Sequence, residues 1–405
     1  MDAYRYFDNA ATTPLDPRVR EAMLPYFDEA FGNANSIHAW GLRAHEAVEL
    51  ARERVARLIG AEDPSQIYFT SGATESNNWV LKVADEIVVS PFEHSSMQEP
   101  ADVLGPLRRR LPNSGPDLGM GFRTTDLDME QSEAVLRRYA VDESEPRKAK
   151  LYRRVLEAIE EHNKGVASAQ VVERPELVSV MSVNNEIGTI WHAPDYAQPG
   201  DLVHSDITQA VGKIPITVEG LDFASFSAHK FYGPKGIGAL FCKDQPPPPL
   251  ILGGEQERGA RGGTLNVPAI VGMGAAAEIA AEEQTTDFER ASLLREVILD
   301  RLNGLSDVQI NGGERTSPFI VSVSFVGLEG ETLVLEIDRA GYAISAGAAC
   351  SSRSMEPSHV LAALHLEPEW LRGTVRVSFG RFNSEGAASE LGKHLRLAVE
   401  KLRRL

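Results

Sequence analysis

The sequence predicts an α/β protein with a large domain built on a mostly parallel central sheet, followed by a smaller α+β domain. Three observations carry that reading. Short, near-continuous apolar runs alternate with helical repeats, the pattern of strands covered on both faces. Polar clusters follow those runs rather than precede them, which is where a doubly wound sheet binds its ligand. After about residue 283 the buried runs give way to a strand that alternates apolar and polar residues.

In chain order, Val48, Ala51, Val55, Leu58 and Ile59 repeat at helical spacing, and Gly60 stops the helix. Strands are predicted at Gln66–Thr70, Glu86–Ser90, Leu177–Val183, Asp201–Ser205, Asp222–Phe226 and Gly238–Cys242. Phe288–Leu302 reads as a helix connecting the two domains. Phe319–Phe325 reads as a half-exposed strand, Glu331–Ala340 as a helix, Thr374–Phe379 as a strand and Ser384–Leu405 as a closing amphipathic helix. The expected boundaries are 15–283 for the large domain, with 1–14 and 284–405 forming the small one. Pro246–Pro249 reads as a stiff surface loop. The stretch Arg108–Gln170, with three consecutive arginines, a Pro/Gly-rich patch and a charged helical segment around Lys148–Asn163, reads as a solvated surface excursion.

The chain has 405 residues, enough for two to three domains at about 150 residues each. A net charge of −17 repels phosphate backbones and anionic lipid, which excludes nucleic acid and membranes as direct partners. Two cysteines, Cys242 and Cys350, are too few for a disulfide framework or a four-ligand zinc site, so no metal is expected and any important thiol acts alone. The N-terminus shows neither a secretory nor a transit pattern, and no apolar run reaches the ~18 residues of a spanning helix. A reducing cytoplasmic location is expected.

Five strand ends converge on one rim. Gln66–Thr70 leads into Ser71-Gly72-Ala73-Thr74-Glu75-Ser76, a small-residue turn entering a helix, suited to phosphate. The next strands deliver His94, Asn184-Asn185-Glu186, Asp206 and Ser227-Ala228-His229-Lys230. Small residues before a helix usually only cap it, and a lone histidine or lysine there is usually structural. Lysine is scarce here, 10 against 31 arginines, and Lys230 follows a buried strand, where desolvation suits a Schiff-base nucleophile. With Asp206 and a phosphate turn on the same rim, the set matches what pyridoxal 5'-phosphate requires.

The segments Asp8–Pro14, Thr70–Asn78, Val183–Gly188, Ser227–Gly236 and Ser345–Ser351 resemble the cysteine desulfurases, in the NifS/IscS-like branch of the class V aminotransferases. The resemblance runs from Tyr6 to about Asn383, apart from extra length between His94 and Val178. It implies a pyridoxal-phosphate-dependent transferase fold of the aspartate aminotransferase type and a homodimer. Lys230 would be the cofactor lysine, Asp206 the partner of the pyridine nitrogen, and Gln209 a donor to the ring oxygen. His94 would stack on the ring and move protons. Ala73, Thr74, Ser227 and His229 would hold the phosphate, with Thr264 reaching the phosphate of the neighbouring subunit's cofactor. Asn185 and Arg376 would clamp the substrate carboxylate, and a strand arginine with a planar fork suits that task independently.

Cys350 would carry sulfur as a persulfide, on a loop whose small residues favour mobility. Cys242, ending an apolar strand, is expected in the core. In this loop alanines stand where the family pattern has serines. Family members serving an iron–sulfur scaffold commonly extend past the final helix, whereas this sequence ends at Leu405, which argues against that docking mode. The expected activity is removal of sulfur from L-cysteine to give L-alanine, with transfer to an acceptor protein. That acceptor could belong to iron–sulfur assembly, tRNA thiolation or DNA phosphorothioation. The alternatives are another class V reaction, such as selenocysteine lyase or aminotransferase chemistry, and a non-catalytic sulfur-relay subunit.

Overall fold

The computed structural model describes residues 3–84, 86–103, 108–110, 176–346, 358–364 and 366–404, with backbone alone at 108–110. The chain starts with helix α1 (Pro17–Met23), whose Asp16 caps the Arg18 N–H and whose Pro17 presets the first turn. Helix α2 (Ala39–Ile59) ends where Gly60 adopts φ 71° and donates back to Ala56 and Arg57. Ala44, Val48, Ala51, Val55 and Ile59 form its buried stripe.

Strand β1 (Ile67–Thr70) precedes helix α3 (Ala73–Val80), and β2 (Ile87–Val89) precedes α4 (Ser95–Val103). Next come β3 (Arg108–Arg110), β4 (Leu177–Ser179), β5 (Leu202–Asp206), β6 (Phe223–Ser227) and β7 (Gly238–Cys242). These seven strands form one sheet in the order β1-β7-β6-β5-β4-β2-β3. The pairs β2–β3, β2–β4, β4–β5 and β5–β6 are parallel, while β7 runs antiparallel to both β6 and β1. Only β7 is reversed, so β1, β2, β4, β5 and β6 all end at the same edge.

Arg108–Arg110 therefore belongs to the sheet edge rather than to a surface excursion, because it pairs with β2 in register. The remainder of that stretch lies outside the described residues. The strand expected over Leu177–Val183 is shorter, since beyond Ser179 the chain turns and Val183 bridges Ile190 instead.

Helix α5 spans Val267–Leu302, so the expected connecting helix is the second half of one 36-residue helix. Its first half packs on α2 at close range: a Cβ at Gly274 would lie 2.6 Å from the Ala51 Cα. A second sheet follows, built from β8 (Val308–Asn311), β9 (Ile320–Phe325), β10 (Ser345–Ala346) and β11 (Thr374–Ser378) in the antiparallel order β10-β11-β9-β8. Helices α6 (Gly330–Arg339), α7 (His359–Ala363), α8 (Pro368–Arg372) and α9 (Glu385–Leu402) complete the chain, with Ser384 capping α9.

One apolar cluster runs from α2 and the large sheet through α5 into the second sheet. β9 was expected to be half-exposed, yet all six residues are buried. The serines of its polar face bond inward: Asn311 donates to Ser322 and Ser324, and Ser324 pairs with Thr374 at 2.7 Å. Alternation here separates an apolar face from a hydrogen-bonded polar one, and water touches neither.

The outer edge of β1 is closed by a buried ion pair. Arg52 meets Glu257 with two contacts of 2.8 and 2.9 Å and also donates to the Ile67 carbonyl. Glu257 accepts the Phe69 N–H as well, which covers an edge that could otherwise pair with another strand. Glu257→Ala leaves the buried Arg52 with only the half-exposed Glu49 as its acidic partner and is expected to cost about 2–4 kcal/mol, read from the shift in a urea unfolding curve.

Candidate active site

The shared edge of β1, β2, β4, β5 and β6 brings most of the sequence-predicted residues together. After β1, the turn at Ser71–Gly72 enters α3, where Ala73 is buried and Thr74 exposed. The Ala73 N–H donates to the Ser227 hydroxyl at 2.7 Å, which leaves that hydroxyl's own proton for another acceptor. The turn fits tightly against β7, since a Cβ on Gly238 would lie 2.6 Å from the Gly72 Cα. The Ser227 hydroxyl donor and the positive end of the α3 dipole thus meet at this turn, an arrangement that suits an anion.

Asp206, 4% exposed, ends β5. The Asn77 amide donates to its Oδ2 at 2.9 Å and the Thr208 N–H to its Oδ1 at 2.9 Å. Asn77 also donates to Ser96 Oγ, which lies 2.9 Å from His94 Nδ1. Asp206 and His94 are therefore held through shared partners. Burial lowers the His94 imidazole, opposed by the Asp206 carboxylate. Next to it Glu93 is fully buried, and burial followed by the Asp206 charge pushes its carboxyl well above the usual range.

Lys230 follows β6 in a 3-10 turn and is half-buried. Its Nζ donates to the carbonyls of Ala10 at 2.6 Å and Ala11 at 2.8 Å. The adjoining His229 ring approaches Thr12 Oγ1 at 3.0 Å, and its carbonyl accepts the Thr13 hydroxyl. Burial, then Lys230, lowers His229 to about 4. Gln209 is buried, and its Nε2 donates to the Ala10 carbonyl at 2.8 Å.

Arg376 comes from β11 of the second sheet, and its side chain is 3% exposed. It donates to the Asn185 carbonyl at 2.8 Å and to Asp8 Oδ1 at 2.7 Å, while its buried Nε has no hydrogen-bond partner. The Asn185 backbone thus meets Arg376 where the sequence pointed to the two side chains. β10 pairs Ser345 with Arg376, and Ser358, after the Cys350 segment, donates to the Glu186 carboxylate. Cys350 itself lies outside the described residues. Cys242 is buried as expected, and burial pushes its thiol up. Thr264 is exposed in the loop after Arg261, which pairs with Glu75 of α3 at 2.9 Å, and it makes no described contact with the other site residues.

Sequence reasoning assigned no role to Asp8, Asn77, Ser96 or Lys213. The quoted segments Asp8–Pro14 and Thr70–Asn78 contained the first two, but polarity alone did not single them out.

The family model described as aminotransferase class-V matches residues 5–107 and 155–391, and the chain belongs to that family. It is 40% identical over 417 residues to a cysteine desulfurase IscS of Anaeromyxobacter sp. (strain Fw109-5), covering 99% of this chain and 93% of that protein. Among solved structures, a NifS-like protein superposes with a TM-score of 0.76 at 33% identity, covering 99% of each chain. A structure described as SspA in complex with cysteine matches with a TM-score of 0.69 at 27% identity, covering 94% of this chain and all of that one.

Two histidines, His229 beside Lys230 and His204 buried in β5, link stability to acid. His229 titrates near 4 in the folded chain against 6.5 for a free imidazole, and burial lowers His204 in the same direction. The unfolded chain binds protons first, so stability present above pH 6.5 is lost as pH falls from 6.5 toward 4. Urea midpoints measured across that window are expected to drop, and a flat profile would contradict this assignment.

Proposed function

We infer that the chain is a pyridoxal-phosphate-dependent cysteine desulfurase, which converts L-cysteine to L-alanine and passes the sulfur to an acceptor protein. The observation that carries this reading is the convergence of Lys230, Asp206, His94 and the Gly72–Ala73 turn on one sheet edge, with Arg376 reaching it from the second sheet. The residues fit the cofactor: Ser227 keeps a free donor beside the α3 N-terminus, and Asp206 is positioned from both oxygens. When bound, pyridoxal phosphate supplies an electron sink that weakens the bonds at the substrate Cα.

Each side chain then has a distinct task. Ala73, Thr74, Ser227 and His229 would hold the phosphate, with the His229 imidazole in its neutral form. Asp206 would partner the ring nitrogen and favour its protonated state. Lys230 would hold the cofactor covalently, and its amine would move the proton at the substrate Cα. Arg376 and the Asn185 amide would receive the substrate carboxylate. His94 moves a proton near the substrate sulfur. The Cys350 thiolate forms an S–S bond to that sulfur as the sulfur–Cβ bond breaks; the electron pair stays with carbon, which takes a proton. Cys350 is left as a persulfide. The flanks of its segment, Ser345 beside Arg376 and Ser358 on Glu186, support this role.

A thiol carrier of this kind belongs in a reducing compartment, and we place the protein in the cytoplasm. Among the described residues no helix is long and apolar enough to cross a membrane. The persulfide's destination is an acceptor protein of iron–sulfur assembly, tRNA thiolation or DNA phosphorothioation, and the same boundaries of 15–283 and the remainder divide cofactor binding from the cysteine loop.

The purified holoenzyme is expected to be yellow and to release alanine from L-cysteine. Lys230→Ala should lose the yellow absorption and at least about a hundredfold in rate. Cys350→Ser should retain the colour and lose both the persulfide and alanine formation; undiminished alanine release from Cys350→Ser would point to another class V reaction. A colourless wild-type protein would instead favour a sulfur-relay subunit.

We also propose a homodimer in which Thr264 completes the neighbouring phosphate site. Leu252 at 80% exposure, on the strand of chain bonded to the Thr264 loop, and exposed Phe31, Ile37 and Trp40 support it. Sedimentation should give twice the monomer mass, whereas a strictly monomeric holoenzyme would exclude the Thr264 role.

A further inference from the structure

Lys213 is 4% exposed, the only lysine in the buried core among the described residues, and the reaction outlined above leaves it without a task. Its placement is built into the fold. The chain after β5 makes a tight turn in which Gly212 takes φ 69°, and a Cβ there would press on Phe231 and Ala280 at 3.0 Å. Lys213 Nζ donates to Gln209 Oε1 at 2.8 Å. Gln209 Nε2 donates to the Ala10 carbonyl at 2.8 Å, and that same carbonyl accepts Lys230 Nζ at 2.6 Å. A continuous hydrogen-bonded path therefore runs from Lys213 to Lys230.

The two ends of an amide differ only in whether they donate or accept, so a buried glutamine points by virtue of its partners. An ammonium has donors and no acceptor. It draws the oxygen of Gln209 and turns the NH2 group the other way. We propose that Lys213 is a positioning residue for the desulfurase reaction, locking Gln209 so that it offers a donor to the ring oxygen of the cofactor. This rests on the reading of Lys230 as the cofactor lysine. Burial of a lysine here is otherwise unexplained, because an apolar side chain would fill the same space without desolvating a polar group. Burial, then Lys230 and Arg376, lower the Lys213 ammonium to about 7; once deprotonated the amine accepts as well as donates, so the lock belongs to the protonated form.

The test compares holoenzymes: wild type, Lys213→Met, Gln209→Ala and the double variant, each titrated with pH through the visible absorption of bound pyridoxal phosphate. Lys230, Arg376 and His229, the charged or titrating groups that interact with Lys213, are unchanged in all four. Losing an oriented donor makes the ring oxygen more basic and its shared proton harder to remove. Lys213→Met is expected to raise the titration midpoint by about one pH unit. In the Gln209→Ala background the same substitution should move it by less than about a third of that, since coupled residues are not additive. An equal shift in both backgrounds would show a charge or packing effect independent of Gln209 and overturn the proposal, as would no shift in the wild-type background. Should Lys213→Met fail to fold, Lys213→Gln, whose amide accepts as readily as it donates, should show the same coupling. A wild-type protein that never turns yellow would refute the cofactor reading itself, whereas a yellow protein without coupling refutes only the role of Lys213.

Discussion

The direction of the central sheet is the constraint on which the site depends. A parallel strand must return by a crossover, so every strand of this kind begins on one side of the molecule and ends on the other. Five strand ends therefore share an edge, and whatever follows them in sequence meets in space. Residues as far apart as Ala73 and Ser227 bond directly for this reason, across 154 positions of chain. The one reversed strand, β7, contributes its beginning instead of its end. Its glycine, Gly238, allows the turn at Gly72 to close onto β6.

The N-terminal segment joins this edge to the second sheet. Its Ala10 carbonyl accepts from both Lys230 and Gln209, its Asp8 meets Arg376, and its Thr12 and Thr13 hydroxyls contact His229. A segment with little regular structure can do this because its backbone groups are free to serve side chains. Arg381 adds a second tie, pairing with Asp16 at 3.0 Å and Asp287 at 2.9 Å. Arg376 is thus held between the N-terminal segment, through Asp8, and the turn after β4, through the Asn185 carbonyl.

Much of the fold was legible because strand boundaries and the residues after them are local features. Gly238–Cys242 appeared as read, and the clusters at Asp206 and Lys230 fell on the expected edge. Exposure was harder to read. The serines of β9 suggested water on one face, and the structure supplies Asn311 and Thr374 in its place. Arg108–Arg110 was read as part of a surface excursion, and its backbone register with β2 makes it a strand of the sheet. The site residues that carried no chemical signal of their own, Asn77, Asp8 and Lys213, were also missed. Their importance lies in what they touch, and no local pattern records a contact across 129 or 368 residues.

By itself the sequence determined the alternation of elements, the chemical groups at the strand ends, the burial of Cys242 and the family likeness carried by its short motifs. These follow from periodicity, side-chain chemistry and turn residues, which act over a few positions. The tertiary structure decided the reversal of β7, the pairing of Arg376 with Asp8, the buried polar face of β9 and the path from Lys213 to Lys230. Each of these depends on which distant groups share a low-dielectric space and must satisfy one another there, a condition set only when the chain has folded.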